Sequence, residues 1–204
     1  MNVEGLSFNH SWKFKINEVA VIQGREHRGA IDSAINLKLN VTEFESYNVV
    51  DSLPSHYKDV DVRNIVIPPS YTNSNWVNQI RIMNHRLDYQ DISRLFNHMT
   101  VWLHCITKGT PIIVLESTAR LKSVPTQHLP RSSIIGLDTD GEFYCHNINY
   151  RVMPGVWAYC IDQFAAQRMF ASVLVQGVRE PLELMFRADQ RLILLQSHAY
   201  RVTP

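Results

Sequence analysis

Two short runs, Val19-Ala20-Val21-Ile22 and Ile112-Ile113-Val114-Leu115, contain no polar residue. A strand with one face in water alternates polar and apolar side chains, because successive Cβ atoms point to opposite sides. Runs that are apolar at every position therefore belong to strands covered on both faces, as in a sheet held between helices. Between the two runs, apolar residues recur at helical spacing at Ile92, Leu95, Phe96, Met99, Trp102, Leu103 and Ile106. Asp88 and Asp91 stand where a helix N-terminus favours negative charge. The expectation is an α/β domain with a predominantly parallel sheet, the two runs as interior strands, and the 92–106 helix packed on one face.

The remaining segments fit the same plan. Strand one, from Glu18 to Gln23, stops at Gly24 and gives way to Arg25, Glu26, His27 and Arg28. Ala30 to Leu39 reads as a helix and Phe44 to Val50 as the next strand. Pro54, Pro68 and Pro69 mark an irregular excursion around Ile65-Val66-Ile67. Ile134 to Leu137 reads as a strand running into the polar turn Asp138-Thr139-Asp140-Gly141, and Val156 to Ile161 as another. Asp162 is placed to cap a helix through Phe170, and Leu192 to Leu195 reads as a last strand.

The chain of 204 residues is 45% apolar, which suits one domain spanning 1–204 with a substantial core. A formal net charge of +1 excludes a global field steering it to nucleic acid or an acidic membrane. Cys105, Cys145 and Cys160 have neither disulfide nor zinc-ligand spacing and read as buried thiols of a reducing compartment. The first ten residues lack the apolar core of a secretory signal, and no apolar run approaches the ~18 residues of a membrane span. The expected location is cytoplasmic.

An ordered set of segments carries a family resemblance. Asp91 to Trp102 resembles the Gly-Glu-Ile-Gly-Cys, Ser-His, Trp helix of the family 25 (lipopolysaccharide-type) glycosyltransferases in its acidic residue, Ile92, His98 and Trp102, with Asn97 where the family usually has Ser. Ile113-Val114-Leu115-Glu116 is similar to the strand leading into that family's Glu-Asp-Asp triplet, and Gly155 to Ile161 to its later Gly, Ala-Tyr, Ile strand. The resemblance spans roughly Val19 to Phe186. It implies a GT-A-like, Rossmann-type sheet with helices on both faces, binding a nucleotide-diphosphate sugar at the C-terminal strand ends. The implied activity is sugar transfer, inverting, from a donor such as a UDP-sugar to a hydroxyl on a surface saccharide, a protein or a hydroxylated DNA base. A DNA acceptor would need a basic face, for which Arg81, Arg86, Arg94 and Arg131 are the residues to inspect.

Site residues follow from the resemblance and from their chemistry. Gln23, Gly24, Arg25 and Arg28 follow strand one, where the donor is received, and guanidinium groups suit its phosphates; a helix start near Gly29 would add its N-terminus. His98 is assigned to the donor side, against the alternative of a hydrogen-bonded structural histidine, and Trp102 to the core. The family's metal triplet reads Glu116-Ser117-Thr118, with one carboxylate remaining. Mn²⁺ or Mg²⁺ would then depend on Glu116 together with Asp138 or Asp140, or transfer would be metal-independent. Glu183 and Asp162 are the carboxylates available to deprotonate the acceptor, Asp162 having the competing task of helix cap. The altered triplet leaves a second reading open, a catalytically inactive GT-A-like binding or interaction protein.

Overall fold

The computed structural model describes residues 11–12, 16–46, 48, 87, 89–126, 129–138, 157–188 and 191–202. Along them the chain forms β1 (Ser11–Trp12), β2 (Glu18–Ile22), α1 (His27–Asn36), β3 (Asn40–Phe44) and α2 (Tyr89–Lys108). There follow β4 (Ile112–Leu115), β5 (Ala119–Leu121), β6 (Leu129–Pro130), β7 (Ile134–Asp138) and β8 (Ala158–Ile161). The last elements are α3 (Gln163–Gln176), α4 (Leu182–Ala188) and β9 (Leu192–Arg201).

The two apolar runs are buried at every position, with successive residues entering opposite cores. Val19, Val21, Ile113 and Leu115 join a core with Ala30, Ile31 and Ala34 of α1. Ala20, Ile22, Ile112 and Val114 join the opposite core with α2, α3 and α4. Both faces of the strands are thus covered by helices, which is why neither run contains a polar residue. No helix among the described residues is long and apolar enough to cross a membrane. Cys105 and Cys160 are buried free thiols; burial pushes Cys105 up to about 12 and Cys160 well above the ordinary thiol range.

Among the described residues seven strands form one sheet in the order β3-β2-β4-β8-β7-β9-β5, and β1 pairs with β6 in a separate two-stranded ribbon. The pairs β2–β3, β2–β4 and β7–β9 are parallel, whereas β4–β8, β7–β8 and β5–β9 are antiparallel. The expected interior strands are found, but the sheet is mixed rather than predominantly parallel. The cause lies in what apolar runs report: they indicate cover on both faces and say nothing of strand direction, and β8 enters antiparallel between β4 and β7.

Several element boundaries differ from those expected. β3 occupies Asn40–Phe44, earlier than the expected 44–50, because its register on β2 pairs Val41 with Val19 and Phe44 with Ile22. α1 starts three residues before Ala30, and β9 continues six residues past Leu195. α4 and β5 were not anticipated, and the Ile65-Val66-Ile67 run lies outside the described residues.

Asp162 caps α3. One carboxylate oxygen accepts from Ala165 N at 2.8 Å and the other from Ser132 N at 2.8 Å, with the side chain buried. The second bond holds the turn before β7, where Ser132 has a φ of 59°. Asp162→Ala leaves two backbone donors without acceptors and should lower the unfolding free energy by about 2 kcal/mol in urea titration. Asp162→Asn, which retains one acceptor oxygen, should lose less.

Candidate active-site cleft at the ends of β2 and β4

The first strand of the sheet, β2, has β3 on one side and β4 on the other, so strand order reverses between β2 and β4. The chain leaves β2 into α1 on one face and reaches β4 from α2 on the other. Connections that part to opposite faces leave a crevice beyond the C-terminal strand ends. A cleft of about 410 Å³ lies there. Gln23 and Gly24 after β2, Glu116 and Ser117 after β4, and Ser46 and Asn48 after β3 form its floor and rim. One edge of α2 forms the wall, through Gln90, Arg94 and His98 at four-residue spacing with Ser93 and Asn97 beside them.

Two pairings hold α2 across the strands. His98 Nε2 lies 2.9 Å from Glu116 Oε1 at the cleft, and His104 Nε2 lies 2.6 Å from Glu18 Oε1 at the start of β2. The helix therefore runs antiparallel to β2 and β4, with its N-terminal half over the cleft.

Behind the cleft wall, hydrogen bonds run inward without interruption. Trp102 Nε1 donates to Tyr159 Oη at 2.9 Å, and Tyr159 Oη lies 2.9 Å from His98 Nδ1. An indole N–H can only donate, so Tyr159 oxygen accepts there. Burial keeps the Tyr159 hydroxyl protonated, raising it well above its ordinary range, so its own proton goes to His98 Nδ1. That assigns the remaining imidazole proton to Nε2, which donates to Glu116. Burial also lowers the His98 pKa, against the opposing pull of Glu116, which agrees with a neutral ring.

Glu116 completes the series. Burial alone would raise its pKa, but the His98 hydrogen bond and the Arg94 guanidinium outweigh that and hold it below the ordinary carboxylate range. Arg94 Nε donates to the same Oε1 at 2.6 Å. The pair stays in contact with the cleft, Glu116 being 18% and Arg94 27% exposed at the side chain.

Of the residues nominated from sequence, Gln23, Gly24, His98 and Glu116 come together in this cleft. Arg25 and Arg28 do not line it: Arg28 is 85% exposed and sits 3.6 Å from Asp32 on the next turn of α1. Near the N-terminus of α1, Arg120 donates to Glu26 O, and its guanidinium lies where a Cβ on Gly29 would be. Asp162 is engaged in capping, away from the cleft. Glu183 falls on α4 and Asp138 ends β7, but both side chains lie outside the described set, as does Asp140 entirely. β7 is parallel in direction to β4 across β8, so Asp138 ends at the same edge of the sheet as Glu116, two strand spacings or about 10 Å away. Among the described residues no three metal-ligating side chains cluster.

From sequence alone Arg94 reads as one residue of a possible DNA-binding face. Arg81 and Arg86 lie outside the described residues, and Arg131 stacks its guanidinium 5.5 Å from the Phe164 ring. The signal for Arg94 as a cleft residue was its place four residues before His98, on the polar edge beside the apolar stripe of α2.

Gly24 is required by packing. A Cβ there would overlap the Ser117 Cβ and hydroxyl, because the turns after β2 and β4 close on each other. Gly24→Ala should cost about 1–2 kcal/mol of stability in urea titration, and Ser117→Gly in the same chain should restore most of it. In sequence comparisons, no family model matches the chain and no curated protein is found similar to it.

Proposed function

We propose that the chain is a GT-A-like glycosyltransferase that takes a sugar from a nucleotide-diphosphate donor and seats that donor in the cleft beyond β2 and β4. The observation that carries this reading is convergence: Gln23, Gly24, His98 and Glu116, from three separate segments, meet at the point where strand order reverses. Exposed Arg25 and Arg28, on the segment leaving β2, would approach the donor phosphates from outside the cleft. With Asp162 committed to the α3 cap, the role of acceptor base falls to Glu183. At Glu116 a Mg²⁺ or Mn²⁺ would find a single carboxylate, with Oε1 already bonded to His98 and to the Arg94 guanidinium and only Oε2 open, so donor phosphates and water would have to supply most of its ligands.

One observation favours the second reading, an inactive binding module. Glu116, the remaining carboxylate of the triplet, is held in a structural ion pair with Arg94. Thermal shift and donor hydrolysis with UDP-sugars, in EDTA and in Mn²⁺, separate the two. Binding with turnover supports the transferase, whereas binding without turnover, or no binding in either condition, replaces it with the binding or interaction module.

A further inference from the structure

We infer that the cleft holds an uncharged, polyhydroxylated part of its ligand, with Glu116 accepting hydrogen bonds from a vicinal pair of hydroxyls, and that anionic groups lie outside it. This deepens the proposal of a donor site and uses the same cleft, but it rests on a separate observation, the charge inventory of the walls. Among the described lining residues only Arg94 and Glu116 carry formal charge, and they are paired at 2.6 Å. His98 is neutral, with its Nε2 proton given to Glu116. The other polar walls are amides and hydroxyls, among them Gln23, Asn48, Asn97 and Ser117. A diphosphate in such a cleft would compete with Glu116 for Arg94 and leave its own charge uncompensated.

Glu116 is arranged to receive hydroxyl protons. Both of its side-chain partners, His98 and Arg94, bond to Oε1. No described residue hydrogen-bonds to Oε2, and the carboxylate is held ionised in the cleft wall. An ionised oxygen with open acceptor positions, in a cleft also lined by amides that both donate and accept, matches the alternating donors and acceptors of a diol. At about 410 Å³ the space falls within the size range of small-molecule sites. The diol could belong to the ribose of a nucleoside or to a hexose; the chemistry at Glu116 is the same.

Calorimetric titration of the whole chain tests this with uridine, 2′,3′-dideoxyuridine, glucose, UDP and UDP-glucose, at about 0.05 and about 0.5 M NaCl. The expected result is binding of uridine or of glucose, with less than about a twofold change between the two salt concentrations. If the ribose is the diol, dideoxyuridine binds about tenfold or more weakly than uridine. If the hexose is, glucose binds and uridine does not. Glu116→Gln should weaken the neutral ligand by a similar factor, and the deoxy comparison on the unaltered chain stands if that variant folds poorly. The inference is overturned if neither neutral ligand binds, or if affinity appears only with UDP and falls steeply with salt. Binding of a neutral ligand without hydrolysis or transfer from UDP-glucose would leave the inference intact and remove the transferase.

Discussion

Trp102→Ala is expected to lower the unfolding free energy by about 4 kcal/mol. The indole is fully buried, with its ring 6.1 Å from Phe186, and it provides the N–H that Tyr159 oxygen accepts. Truncation leaves a large cavity between α2 and α4 and removes that donor. Tyr159→Phe isolates the polar part of the effect. The ring still packs, 5.0 Å from Phe186, but Trp102 N–H and His98 Nδ1 both lose their partner, a loss of about 2 kcal/mol. Urea midpoints should fall in that order with unchanged slopes. A neutral Tyr159→Phe would mean that the hydroxyl does not link core and cleft.

The apolar runs made much of the fold legible because a strand covered on both faces cannot be disguised by alternation. Ile112 to Leu115 and Val19 to Ile22 lie side by side as interior strands, and α2 extends from Tyr89 to Lys108 over the expected stripe. Strand direction was not legible. Nothing in Ala158-Tyr159-Cys160-Ile161 distinguishes an antiparallel strand from a parallel one, since each of its residues is buried in either case. α4 was hidden by its brevity: seven residues after Pro181 give too few turns for a periodic signal.

The cleft was legible where side chains sit at strand ends, and less so where their partners are distant in sequence. Gln23, Gly24 and Glu116 follow buried strands, which is the rule for α/β crevices. His98 reads from sequence as either structural or ligand-facing, and the geometry is that of the hydrogen-bonded structural residue: the ring is fully buried and its Nε2 proton fixes the carboxylate that borders the cleft. The Tyr159 contact, 61 residues along the chain, has no local signature. Asp162 reads from sequence as either base or cap, and the two backbone N–H groups that donate to its carboxylate decide for the cap.

The buried His98 ring makes acid destabilisation a direct readout of the cleft wall. Burial lowers its pKa below the ordinary 6.5 despite the hydrogen bond to Glu116, so the folded chain keeps it neutral where the unfolded chain takes up a proton. The sign follows from linkage: this contribution is complete above pH 6.5 and is lost as pH falls toward the folded value, at no more than about 1.4 kcal/mol per pH unit. Glu116, held below its ordinary 4.5, contributes above that value and loses its part as pH falls through its own folded pKa, so it acts in a lower window. Glu18 is also lowered: burial opposes the shift, and the hydrogen bonds from His104 and Thr42 prevail, which adds to the lower window. Stability measured by urea titration should therefore fall as pH drops below 6.5, through His98, and then further as the carboxylates protonate. His98→Gln, whose amide can still donate to Glu116, should flatten the upper limb and keep the lower one. Equal slopes for the two chains between pH 6.5 and 4.5 would show that His98 takes up its proton in the folded state, and with it that the hydrogen-bond direction from Trp102 through Tyr159 to Glu116 is other than assigned.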